Sequence, residues 1–117
     1  MKDTQPDLNV IAPERESVSV DASFAPLIPK FLANRVKEIS TMNAALAAQD
    51  FETVRKIAHG AKGAGGTYGF TAVTAMATAI ESAAKQGMST TIEEELKRLS
   101  AYLGGVEVIF DDAASGE

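Results

Sequence analysis

From Leu27 onward, hydrophobic side chains recur every three or four residues, in four separate runs. Leu27, Ile28, Phe31, Leu32, Val36, Ile39, Met42 and Leu46 form the first. That spacing puts them on one face of a helix, and Pro26 and Pro29 fit in or before its first turn, where a missing N–H costs little. A second run, Phe51, Val54, Ile57, Ala58 and Ala61, follows Asp50, whose carboxylate is a suitable N-cap. The third begins near Thr71, with Val73, Met76, Ala77, Ile80 and Ala84, and stops around Gly87. Thr90 or Thr91 is expected to cap the fourth, with Glu93 and Glu94 placed for a capping box. Its stripe reads Ile92, Leu96, Leu99, Leu103, Val106 and Phe110. No segment alternates convincingly as a strand, although Val18 and Val20 alternate with Ser17, Ser19 and Asp21 and have the pattern for a brief pairing.

Short connections at Gln49–Asp50, Tyr68–Phe70 and Gly87–Ser89 make sequential helices antiparallel neighbours. The expected fold is therefore all-α, an up-down-up-down antiparallel four-helix bundle over residues 23–112. Residues 1–22, with Pro6 and Pro13 and no sustained period, read as a loose N-terminal arm, and 113–117 as a flexible tail. Abundant Ala and no Trp predict a slim core with closely spaced helices. Met42, Met76 and Met88 read as core filler, and Tyr68 and Phe70 as a staple at the bend before the third helix.

Composition narrows the chemistry. The chain of 117 residues carries 11 Lys+Arg against 16 Asp+Glu, a formal net charge of −5, which argues against a nucleic-acid binder. Without Cys there is no disulfide framework and no thiolate metal site, and a single His excludes a two-His site. No apolar run approaches the roughly 20 residues of a membrane span. A small soluble cytoplasmic protein is expected, monomeric by default.

Chemistry concentrates in Lys56–Phe70, which holds the one His and Gly60, Gly63, Gly65, Gly66 and Gly69. If the second helix persists, Val54, Ile57, Ala58, Ala61 and Gly65 face the bundle. Glu52, Arg55, His59, Lys62, Gly63 and Gly66 then share the solvent side. Each interior Gly costs a helix about 0.5–1 kcal/mol relative to Ala. Either the bare patch admits another protein to the ring, or the helix ends at His59 and a glycine loop follows; local propensity leaves both open. Two phosphate-loop readings fail. Lys62 is followed by Gly63 and not by Ser or Thr, and position 68, where the dinucleotide spacing from Gly63 and Gly65 requires Gly, is Tyr68.

His59, then Lys62 and Gly63 three and four positions on, then Ala64, Gly65, Gly66, Thr67 and Gly69, resembles the signature of histidine-containing phosphotransfer (HPt) domains of multistep phosphorelays. The resemblance runs from about Leu27 to Phe110 and includes an Ala-rich third helix with Glu81. It implies that His59 accepts a phosphoryl group from a receiver-domain aspartate and passes it to another. Lys62 would offset phosphate charge and Gly63 would give the receiver access. Arg55, Lys56 and Lys85 would add weaker basic character around the site. Glu81 is either an ordinary solvated residue or a supporting partner to Lys62 or His59. The implied partners are response-regulator receiver domains and a hybrid histidine kinase. The chain would be a carrier and not an enzyme, needing no cofactor of its own, with Mg²⁺ held by the receiver. Gly66–Phe70 also resembles the phosphorylated N-terminal domain of chemotaxis histidine kinases, where the accepting His is linked to the motif Lys, a second His and a Glu. Glu81 matches that Glu, but Thr78 occupies the second His position. A phosphoacceptor domain of such a kinase, or a receiver-binding adaptor that takes no phosphate, are the alternatives.

Overall fold

The structure, a computed structural model, describes residues 16–112. The first strand, β1 (Ser17–Asp21), leads through a 3₁₀ turn (Ala22–Leu27) into four helices. These are α1 (Ile28–Ala47), α2 (Phe51–Tyr68), α3 (Thr71–Lys85) and α4 (Ser89–Gly105), followed by strand β2 (Glu107–Asp111). Each helix packs on its neighbours in chain order and α1 closes against α4, giving the expected four-helix bundle. Phe31, Met42, Val54, Phe70, Val73, Ile80, Ile92, Leu96 and Leu99 are buried along its axis.

Two short strands stand outside the all-helical expectation. β1 and β2 pair in parallel, Ser17 opposite Glu107 through Asp21 opposite Asp111. Phe110, expected on the last turn of the fourth helix, is therefore on a strand, and Val106 is where α4 ends. Positions four apart satisfy both a helical and an alternating period, so Val106 and Phe110 fit either. Residues 1–15 of the expected arm, and the expected tail 113–117, lie outside the described residues. The end of that arm forms β1, and Val20 on it is 1% exposed in the core.

Three further expectations are corrected. Leu27, just before α1, and Val36 on it are exposed, and Arg35 occupies the buried stripe between Phe31 and Ile39. Its guanidinium lies 4.9 Å from the Phe31 ring centroid and makes two hydrogen bonds, of 2.8 and 2.9 Å, to Glu38. The aromatic face and the carboxylate together satisfy the buried cation. Neither Thr90 nor Thr91 caps α4, which starts two to three residues sooner from Met88 with no side-chain cap. Met88, read as core filler, is accordingly exposed. On the same helix Tyr102 joins the buried stripe ahead of the partly buried Leu103.

The bend between α2 and α3 is fixed from both sides. Gly69 ends α2 in the left-handed region (φ 83°), a conformation that favours Gly. Phe70, fully buried, lies 4.6 Å from Phe31 between ring centroids, and Tyr68 meets Phe24 and Phe31 edge-on at 5.1 and 5.3 Å. The aromatic staple at this bend is thus present.

Candidate functional site

The helix runs unbroken through the glycines. Asp50 starts it, its carboxylate accepting from the Thr53 amide (3.1 Å) and the Thr53 hydroxyl (2.6 Å). These two bonds hold the Asp50 carboxyl below its usual range. Tertiary packing then outweighs the propensity cost. Ala58, Ala61 and Gly65 on α2 and Ala77 on α3 are all buried where the two helices meet. At Gly65 the approach is closest, and a Cβ there would stand 2.6 Å from Thr74 Oγ1 and 3.1 Å from the Thr74 amide nitrogen. The Thr74 hydroxyl donates across the seam to the Lys62 carbonyl at 3.3 Å. We expect Gly65→Ala to destabilise the bundle by about 1–3 kcal/mol through this overlap, measurable by thermal melt.

The narrow seam brings a carboxylate of α3 within reach of α2. Glu81 Oε2 lies 3.0 Å from His59 Nδ1, and Glu81 Oε1 lies 2.8 Å from Lys62 Nζ. The Glu81 side chain is only 8% exposed, whereas that of His59 is 66% exposed. Glu81 is therefore neither solvated nor idle, and it partners both residues. The Lys62 ammonium, then the His59 ring, hold its carboxyl down at about 2, against the opposing effect of desolvation. A carboxylate ionised at neutral pH only accepts hydrogen bonds, so the facing Nδ1 carries the ring proton. In the neutral ring this leaves the lone pair on Nε2, which has no hydrogen-bond partner among the described residues.

The sign of the linkage follows from the direction of that shift. Glu81 folded titrates at about 2 and unfolded near 4.5, so the unfolded chain binds more protons in between. The contribution is fully present above about pH 4.5 and is lost as pH falls toward about 2. Denaturant melts across that window should show Glu81→Gln losing less stability on acidification than the parent protein.

The other expected site residues divide. Gly63 sits on the open face with Gly60 and Gly66, and an added Cβ at any of the three would meet nothing within 4 Å. Packing therefore does not require glycine there. Arg55 is not a free cation beside the ring, because it pairs with Glu52 at 2.6–3.0 Å. Lys56 and Lys85 are exposed. Thr78 donates its hydroxyl back along its own helix, to the Thr74 carbonyl at 2.7 Å. The His59–Glu81–Lys62 arrangement thus forms without a second imidazole. Among the described residues no three His, Cys, Asp or Glu side chains are grouped to hold a metal. Among the described residues no helix is long and apolar enough to cross a membrane.

Thr74, which backs Gly65 and the Lys62 carbonyl, was not singled out by the sequence. Its signal is weak, a polar residue on an Ala-rich helix facing another Ala- and Gly-rich helix. Glu81 had a better one. It follows the core residue Ala77 by four positions, so it stands as a charge within an apolar stripe.

The family model of the Hpt domain matches residues 27–107. That span takes in all four helices and stops at the first residue of β2, leaving β1 outside. No curated protein and no solved structure matches the chain.

Proposed function

The chain belongs to the Hpt domain family, and from that premise we propose that it relays a phosphoryl group between receiver-domain aspartates through His59. Hpt domains carry phosphoryl groups in phosphorelays and do not catalyse the chemistry themselves. The observation that carries the assignment to this residue is the polarity of the ring. Buried Glu81 engages Nδ1, and the ring is largely exposed with Nε2 free. An imidazole so oriented presents its lone pair outward, which in-line attack on phosphorus needs.

Around that nucleophile the remaining residues take simple roles. Gly60, Gly63 and Gly66 leave the helix surface bare beside the ring, so a receiver's acidic pocket can come close. Lys62 stands on the same carboxylate, with its stem partly exposed, and can turn its ammonium to the phosphoryl oxygens. That contact is worth about 1 kcal/mol or less at an exposed site. Mg²⁺ belongs to the receiver in this scheme, with its own acidic ligands.

Partner docking is expected on the face that carries these residues. Chemical-shift mapping with a receiver domain should perturb His59, Lys62, Gly63 and Gly66 and neighbouring positions of α2 and α3. As a contact that must release, it should bury about 1,200 Å² or less in total. Perturbations confined to α4 would contradict the assignment.

A further inference from the structure

We propose that Glu81 acts after transfer as well as before it, keeping phosphorylated His59 protonated at Nδ1 so that the phosphohistidine persists in its reactive, cationic form. The inference rests on the phosphorylation of His59 argued above and concerns how long the phosphate stays.

Electron and proton accounting sets the problem. In uptake, the Nε2 lone pair forms the N–P bond, the aspartyl O–P bond breaks, and its electron pair stays on the aspartate. No proton moves. The Nδ1 proton remains where it was, and the ring passes from neutral to singly positive. Onward transfer reverses this, with the N–P electron pair returning to Nε2. If Nδ1 is protonated, the departing group is neutral imidazole, a good leaving group. If Nδ1 has lost its proton, the departing group is an imidazole anion and the phosphoramidate is inert by comparison. Whatever holds that proton therefore decides whether the site relays phosphate or stores it.

The geometry assigns that task to Glu81. Its Oε2 is 3.0 Å from Nδ1, and its side chain is shielded from water on α3. The positive ring thus gains a neighbouring negative charge that water screens poorly. The other charged groups oppose a cationic ring or are neutralised. On α2, Lys56 and Lys62 are one turn away on either side and Arg55 is bound by Glu52. On α3, Lys85 follows Glu81 by one turn. Lys62 shares the Glu81 carboxylate through Oε1, which leaves Oε2 to the ring. With Glu52 paired to Arg55, Glu81 is the carboxylate in contact with the ring and the one of these groups that favours retention of the proton.

The test needs no receiver. Purified protein is phosphorylated with phosphoramidate, a small-molecule donor. Long-range ¹H–¹⁵N NMR then reads the Nδ1 protonation state from about pH 6 to about pH 9, beside a phosphohistidine peptide. The protein should keep the Nδ1 proton to distinctly higher pH than the peptide does. In parallel, Glu81→Gln, which keeps the side-chain shape without the charge, should lengthen the phosphate half-life at about pH 8 by about tenfold. It should change little at about pH 5, where both rings are protonated. If the protein's Nδ1 loses its proton over the same range as the peptide's, the inference falls while phosphorylation of His59 stands; the NMR reading on the parent protein holds even should the variant fold poorly. If no phosphohistidine forms at residue 59, both fall.

Discussion

His59→Gln is expected to fold like the parent protein and to take up no acid-labile phosphate at all. The ring is two-thirds exposed and makes one side-chain hydrogen bond, to Glu81, so little packing is lost with it. Glu81 keeps its second partner, Lys62, at 2.8 Å, and the Gln amide can donate where Nδ1–H did. The chemistry has no such substitute. This is the only His in the chain, and an amide nitrogen has no lone pair free for attack on phosphorus. Circular dichroism and thermal melts on the variant would establish the fold, and uptake from a phosphorylated receiver would establish the loss. Residual acid-labile phosphate on a folded His59→Gln protein would remove His59 from the mechanism.

The second large effect concerns a residue that has no side chain. Gly63→Gln should leave the bundle stable yet slow phosphotransfer by on the order of a hundredfold, because a misplacement of about 1 Å at the reacting atoms can cost that much. Open space around the site separates the two effects. A Cβ at Gly63 meets nothing within 4 Å, and the position lies inside a continuous helix. Gly63→Ala should therefore raise stability by about 0.5–1 kcal/mol, as a helix-compatible restriction of the unfolded chain. The opposite response is expected two residues on, where Gly65 is pressed against Thr74. Melts and transfer rates measured on the same three variants would show whether glycine serves access at Gly63 and packing at Gly65. Full transfer activity in a stably folded Gly63→Gln protein would remove the access argument.

Legibility in the sequence varied with how local each cause is. The His59, Lys62 and Gly63 spacing is a property of one helix face, and it pointed to the candidate site directly. Helix boundaries set by a nearby cap or turn, such as Asp50 and the turn at Gly87, were likewise plain. Whether the helix survives its glycines was undecidable locally, since propensity weighs the penalty of each Gly and is blind to what α3 offers in return. The answer lies in small residues on both sides of the α2–α3 seam. That seam also decides Glu81, which the sequence left open between an ordinary solvated residue and a partner to Lys62 or His59; its burial on α3 within reach of both makes it the partner of both. The start of α4 was misplaced because the turn sets it. Met88 donates its amide to the Ala83 carbonyl at 2.9 Å while its own carbonyl receives the Ile92 amide at 3.1 Å, so the helix is under way before Thr90. Least legible was the β1–β2 pair. Five-residue strands separated by the whole bundle have no local signature beyond weak alternation, and the burial of Val20, with Val18 partly buried against the core, shows how the first of them is anchored.

The chain is expected to carry phosphate on the exposed nitrogen of one imidazole. Incubating the protein with a panel of ³²P-labelled phosphoreceivers, then mapping the label by mass spectrometry, tests it most directly. A single acid-labile phosphate on His59, from at least one receiver, is the predicted result. Label on another residue, an acid-stable product, or no transfer from any receiver in the panel would contradict it.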